Sequence, residues 1–345
     1  MARSTVYNKI TSPEKLEQVN EKNRQLGEEW FAYLGSIDRT QGTINGYRND
    51  LNIFWCWNLE FNKNKDFLKL KKRDVARFQN HALNVWNWSP KRTRRVKACL
   101  SSLSNYIEDM ADEDEEFENF KPVVKKIENP QNVAVRKKTV LSEDQIQKLL
   151  NTLVENEEYE KACSIAIGAY SGMRKSEIIQ MKESYFSDEY MILDGALYKT
   201  PEIRTKGKGR IGKLLNKYIL VKAKPYIDLW VNRRQELGVD IDDLFVTKSY
   251  SKNGTSWKRR MGFDDWTKQF SEIVGEDFYY HSMRHFTCTE LFRNNIPSNV
   301  IQEFFGWSSS EMLNIYNDIT GESEFAKYFT KDGITKVEVG DISDM

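Results

Sequence analysis

Helical apolar spacing fills the first part of this chain and stops at an acidic run. Residues 108–118, Glu-Asp-Met-Ala-Asp-Glu-Asp-Glu-Glu-Phe-Glu, carry eight acids and no base. The segment that follows, KPVVKKIENPQNVAVRKKT, has two prolines, mixed charge and no apolar period. A chain of 345 residues is too long for one ordinary core. The break therefore predicts two domains joined by a linker at 116–138.

The first domain is placed at 20–115, behind an N-terminal extension at 1–19. Pro13, after Ser12, suits the first turn of a helix. In TQGTINGYRNDLNIFWCWNLEF, Ile44, Tyr47, Leu51 and Phe54 recur at helical spacing. In SPKRTRRVKACLSSLSNYIEDM, Val96, Leu100, Leu103 and Ile107 make one apolar face. Lys91, Arg92, Arg94, Arg95 and Lys97 gather toward its start. Such a helix can dock on its own bundle and still touch phosphates.

Beyond the break, Ser142 is a candidate N-cap, and Glu143 and Asp144 suit the positive end of the helix it opens. YEKACSIAIGAYSGM reads as an apolar helix ending near Ser171–Gly172. Residues 189–221 alternate apolar and polar around glycines, which predicts two or three antiparallel strands with a Gly-rich hairpin. From 225 to about 328 the pattern is again mostly helical. The second domain is placed at 139–328 and a C-terminal tail at 329–345. The expected fold class is mainly α with a small antiparallel β-sheet.

Charge is distributed unevenly. The net charge is only +1, but residues 63–97 carry twelve Lys or Arg against two acids, and residues 199–224 carry nine against one. Basic blocks of this kind can track a phosphate backbone. The four cysteines, Cys56, Cys99, Cys163 and Cys288, are scattered without a CxxC pair, so neither a zinc ribbon nor a disulfide framework is indicated. No apolar run approaches the roughly 20 residues of a membrane span. The first residues lack the apolar stretch of a signal peptide. A cytoplasmic protein without membrane contact is expected.

The stretch HSMRH, residues 281–285, holds two of the three histidines of the chain. Their spacing would suit a metal pair on a helix, but there is no HExxH and no third ligand is placed by spacing. On a helix, His281 and Arg284 share a face. IPSNVIQEFFGW reads as a short helix ended by Gly306, and Ser308 with Glu311 reads as a capping box for the next helix, which carries Tyr316. Three successive short helices would thus bring His281, Arg284, Trp307 and Tyr316 together. Arg174, in YSGMRKSEII, adds a second arginine at a helix end. Arginine offers a planar fork to phosphate oxygens and keeps its charge. Histidine and indole N–H add donors, and a deprotonated tyrosine can attack phosphorus.

These residues resemble the tyrosine recombinases, the phage integrase and Xer-like group. GMRKSEI is similar to that family's first-arginine motif, and HSMRHFTCTELFRNNIPSNVIQEFFGWSSSEMLNIY to its His-x-x-Arg, His/Trp and Tyr block. The spacings, 23 residues from Arg284 to Trp307 and nine from Trp307 to Tyr316, follow the pattern. The resemblance covers about 140–320, with 20–110 similar more loosely to the family's helical, SAM-like core-binding domain.

The resemblance implies a core-binding domain and an α+β catalytic domain that clamp DNA. It implies a site-specific recombinase, Xer-like or a compact phage enzyme, that integrates, excises or resolves DNA. Tyr316 would form a 3′-phosphotyrosine, with Tyr328 as the fallback nucleophile. Arg174 and Arg284 would stabilise the transition state, His281 would donate a hydrogen bond or move a proton, and Trp307 would donate one bond and pack by Tyr316. Glu177 would orient Arg174 or His281, and His285 would be structural. A hairpin lysine would protonate the leaving oxygen; Lys206 fits best, with Lys208 and Lys199 in competition. Lys91, Arg92, Arg94, Arg95, Lys97 and Lys208 are the expected DNA contacts. The implied partners are double-stranded DNA bearing recombination sites, three further copies in a tetramer that passes through a Holliday junction, and an accessory DNA-bending or directionality factor. Neither cofactor nor metal is implied. The rival readings are a type IB topoisomerase, a telomere resolvase, or a catalytically silent DNA-binding protein.

Overall fold

The computed structural model describes residues 9–131, 139–207, 209, 211–251, 254–316, 329–330 and 333–334. Lys208, Tyr328 and most of the expected tail lie outside these. The chain forms two compact units that divide at residues 137 and 138, the hairpin turn 207–212 set aside. Among the described residues, no helix is long and apolar enough to cross a membrane.

The first unit is helical: α1 (Pro13–Gln18), α2 (Glu21–Ser36), α3 (Gln41–Phe61), α4 (Lys72–Asn84) and α5 (Pro90–Asp109). Each start follows local chemistry. Pro13 opens α1 behind Ser12, whose side chain accepts from the backbone N–H of Lys15, and Ser89 caps α5 in the same way ahead of Pro90. The apolar face of α5, Val96, Leu100, Leu103 and Ile107, is fully buried. It packs with Trp30, Phe54, Trp57, Phe67 and Phe78, an aromatic-rich core. Each such leucine, removed from water, contributes about 1.5–3 kcal/mol. The stretch expected to be a linker is partly committed to this core. Phe117 and Val124 are buried in it.

The second unit begins with α6 (Glu143–Glu155), α7 (Tyr159–Ser171) and α8 (Lys175–Ile178). Ser142 caps α6 in a reciprocal box with Gln145. Helix α7 is buried on every side from Ala162 to Ser171, so it is the axis of the unit. Three short strands, β1 (Met191–Ile192), β2 (Leu197–Lys199) and, after a separate hairpin, β5 (Tyr218–Leu220), form one antiparallel sheet in the order β1-β2-β5. The hairpin is β3 (Ile203–Thr205) with β4 (Lys213–Leu215), paired Ile203 to Leu215 and Thr205 to Lys213. Then come α9 (Lys224–Glu236), β6 (Val246–Ser251), β7 (Gly254–Arg259), α10 (Thr267–Val274), α11 (Tyr280–Arg293), α12 (Ser298–Phe305) and α13 (Glu311–Tyr316). A backbone pairing of β8 (Phe329–Thr330) with β9 (Gly333–Ile334) follows.

The β6–β7 hairpin departs from the mostly helical pattern expected beyond residue 225. Its strands pair from Val246–Arg259 to Ser251–Gly254. The sequence VTKSYSKNGTSWKRR is rich in Thr, Ser and aromatic residues around an Asn-Gly pair, the composition of a hairpin.

Candidate active site

Helix α11 is fastened to α7 along one face. Tyr280, Arg284 and Thr287 recur at helical spacing. The Tyr280 hydroxyl meets Ser164 Oγ at 2.9 Å, Arg284 Nη1 donates to the Gly172 carbonyl at 2.8 Å, and Thr287 Oγ1 donates to the Ala169 carbonyl at 2.8 Å. Arg284 is therefore held at the C-terminal end of α7 with 1% of its surface exposed. Gly172 ends α7 in the left-handed region at φ 61°. A Cβ there would sit 2.3 Å from Phe305 Cε1, so glycine is needed for conformation and for space. Gly306 ends α12 likewise at φ 67°.

Those two turns let an aromatic stack cover Arg284. Phe305 and Trp307 stack at 4.4 Å and 13°, and Trp307 and Tyr316 at 5.1 Å and 20°. The Arg284 guanidinium lies 4.6, 5.0 and 5.4 Å from the rings of Phe305, Trp307 and Tyr316. The Tyr316 hydroxyl is 2.8 Å from His281 Nε2, and His285 tilts against the same phenol ring at 4.6 Å. Tyr316 is buried and His281 is exposed. The cap of α13 differs by one residue from the expected box: the Glu311 N–H donates to Ser309 Oγ, so Ser309 rather than Ser308 starts the turn.

The second arginine stands beside this group. Arg174 precedes α8, and both hydrogen bonds it donates go to Glu177. Its backbone N–H donates to Oε2 at 3.0 Å and its Nη1 to Oε1 at 2.8 Å. Lys217, one residue before β5, places its amine 3.5 Å from Glu177 Oε2, with 3% of its side chain exposed. Burial works against the Glu177 charge, but Lys217 and Arg174 outweigh it and hold the carboxyl below its ordinary value. Burial first, and then the charge of Arg174, bring Arg284 down to about 10, so it remains a cation at neutral pH.

The result is a cationic cluster with donors to spare. Among the described residues, Arg284 Nε and Nη2 and Trp307 Nε1 are buried with no hydrogen-bond partner. Buried donors of this kind ask for an acceptor. Three cations, Arg174, Arg284 and Lys217, surround the one carboxylate of Glu177. A tetrahedral anion beside Tyr316 would satisfy both the charge and the donors.

The structure places the other expected residues, and one unexpected one, as follows. Lys206 is exposed just after β3, and Lys199 is exposed at the end of β2. Lys217 was not singled out by sequence, although period-two alternation from buried Ile219 points residue 217 inward. On α5, Lys91 and Arg94 are exposed. Lys97 is not on the basic surface where it was expected. It lies four residues after buried Thr93, and its amine donates to Gln79 Oε1 and to the carbonyls of Ile127 and Glu128 at 2.7–2.9 Å. Arg92 and Arg95 both donate to fully buried Asp50, at 2.6 and 2.9 Å.

Comparison with known proteins finds relatives in sequence and in fold. The sequence profile of the phage integrase family matches residues 139–322. The chain is 30% identical over 234 residues to the SPbeta prophage-derived recombinase-like protein YomM of Bacillus subtilis, covering 67% of each chain. It is 24% identical to a tyrosine recombinase of Thermosipho africanus over 85% of this chain and 94% of that one. In fold it is similar to the XerH site-specific recombinase bound to palindromic difH substrate, with TM-score 0.59 and 18% identity over 83% of this chain and 78% of that one. It is also similar to the Tn1549 transposon integrase in complex with circular intermediate DNA, with TM-score 0.58 and 17% identity over 88% and 98%.

Proposed function

This chain belongs to the phage integrase family and is a tyrosine site-specific recombinase, and from that premise we propose that Tyr316 cuts one DNA strand by attacking its phosphodiester. The observation that carries the proposal is the group of buried, unpartnered donors on Arg284 and Trp307 beside a tyrosine hydroxyl bonded to His281. XerH and the Tn1549 integrase, whose fold this chain shares, are bound to DNA in their structures.

The step balances as a transesterification. Tyr316 Oη gives its proton to His281 Nε2 and bonds to phosphorus. The bond from phosphorus to the 5′-oxygen breaks, leaving a 3′-phosphotyrosine and a 5′-hydroxyl. Arg174 and Arg284 take the nonbridging oxygens as negative charge builds there. Trp307 Nε1 donates one further bond; indole has no acceptor, so it moves no proton. A hairpin lysine, Lys206 by position, protonates the leaving 5′-oxygen. A 5′-hydroxyl from a second strand then attacks the phosphotyrosine. The ester bond is exchanged and never hydrolysed, so the cycle consumes no nucleotide. Two such exchanges within a tetramer pass through a Holliday junction and recombine two sites. Lys91 and Arg94, exposed on α5, contact the backbone of the duplex.

Covalent trapping tests the proposal. Wild type and Tyr316→Phe are incubated with sheared, nicked genomic DNA and separated on a denaturing gel. A protein–DNA adduct is expected in wild type and absent from the variant. An adduct of equal yield in Tyr316→Phe would move the nucleophile elsewhere.

A further inference from the structure

Lys217 is an expensive residue to bury, and its setting is built rather than incidental. Its backbone N–H donates to Thr200 Oγ1 at 3.0 Å and its carbonyl accepts from the Thr200 N–H at 2.9 Å. Asn216, next to it, donates from Nδ2 to the Thr200 carbonyl at 2.8 Å. These bonds, with the pairing of Lys199 to Tyr218, fix the start of β5 so that the side chain runs inward. At its end the amine meets Glu177 Oε2 at 3.5 Å, and both groups are at most 3% exposed. The charged groups facing Glu177 are Lys217 from the start of β5, Arg174 from the start of α8 and Arg284 from α11. A buried carboxylate holds its charge only when it is paired. Arg174 donates to that carboxylate twice, from its backbone N–H and from Nη1.

Taking Tyr316 as the nucleophile, we infer that Lys217 is a positioning residue for strand cleavage: its ammonium locks the Glu177 carboxylate, and Glu177 fixes Arg174 where the scissile phosphate binds. Lys217 acts through Glu177 and is a different residue from the hairpin lysine that protonates the leaving oxygen. Removing its charge leaves Glu177 with less compensation for burial. Glu177 then takes up a proton at a higher pH than in wild type, and Arg174 loses an anchor. The acid side of the cleavage profile accordingly moves toward higher pH.

The test uses the full chain as wild type, Lys217→Met, Lys217→Arg and the double variant Lys217→Met with Glu177→Gln. Two quantities are read. One is the pH titration of the Glu177 carboxyl by carbon-13 NMR in the free protein. The other is single-turnover adduct formation on a duplex carrying the site recovered by trapping, made also with a bridging 5′-phosphorothiolate, whose thiolate leaves without a proton. In Lys217→Met the Glu177 midpoint is expected to rise and the adduct rate at neutral pH to fall at least about tenfold, with no recovery on the phosphorothiolate. Lys217→Arg restores both. The double variant removes both members of the buried Lys217–Glu177 pair and is no slower than the single one. An unmoved Glu177 midpoint overturns the inference. So does a wild-type rate in Lys217→Met, recovery on the phosphorothiolate, which makes Lys217 the proton donor, or a Lys217→Arg variant as slow as Lys217→Met. Absence of an adduct in wild type would instead remove the nucleophile assignment, while the NMR midpoint would still decide the Lys217–Glu177 lock.

Discussion

At the scale of single residues, the site separates groups that stack from groups that donate. Trp307 does both: its ring lies between Phe305 and Tyr316, and its Nε1 is buried without a partner among the described residues. Trp307→Phe keeps an aromatic ring in the stack and deletes the donor together with part of the indole. Loss of one preorganised donor to a transition-state oxyanion costs on the order of 10²–10³ in rate. Trp307→Phe is therefore expected to slow adduct formation on that scale while leaving DNA retention near wild type and lowering the melting temperature only by the lost packing. A rate within twofold of wild type would restrict Trp307 to packing. The residues His281, Arg284, Trp307 and Tyr316 are legible in sequence because each falls at a fixed offset within a short run of helices. Lys217 is not, because a lysine in a basic, Gly-rich stretch looks solvated until the sheet is assembled around it.

At the scale of elements, the site depends on two helix ends. Gly172 closes α7 and offers its carbonyl to Arg284. The ring of Phe305, at the end of α12, fills the space where a Cβ on residue 172 would project. Gly172→Ala adds left-handed strain to a clash with the ring that lies under the Arg284 guanidinium. The strain alone is of order 1–3 kcal/mol. The variant is expected to melt earlier by a comparable amount in chemical denaturation, and to lose adduct formation even at temperatures where it is folded. A variant that kept full cleavage would show that Phe305 can shift without disturbing Arg284. That α7 stops near residue 172 and that α12 stops at Gly306 both follow from sequence. That the two ends face each other does not, since 134 positions separate Gly172 from Gly306.

At the scale of the whole molecule, each unit carries its own apolar core. The core of the first runs from Val19 to Val124, and the main core of the second from Leu141 to Phe286. Leu100→Ala removes a fully buried side chain from the first core and is expected to destabilise that unit by about 2–5 kcal/mol. Calorimetry of the full chain should show one transition moved to lower temperature and a second left in place. A single transition that moves as a whole would show the two cores to be thermally coupled.

What the sequence determined by itself is local. It includes the two-part division, the helix start at Pro13, the cap at Ser142, the helix ends at Gly172 and Gly306, and the spaced block from His281 to Tyr316. Helical period and turn chemistry act over a few residues, so a single strand of text carries them. Tertiary structure alone decided which charges are paired within the protein. Asp50 takes up Arg92 and Arg95 from 42 and 45 positions away. Lys97 turns from the surface to the carbonyls of Ile127 and Glu128. Lys217 reaches Glu177 across 40 positions. The energy of a charge depends on what surrounds it in space. That environment exists only once distant segments have packed.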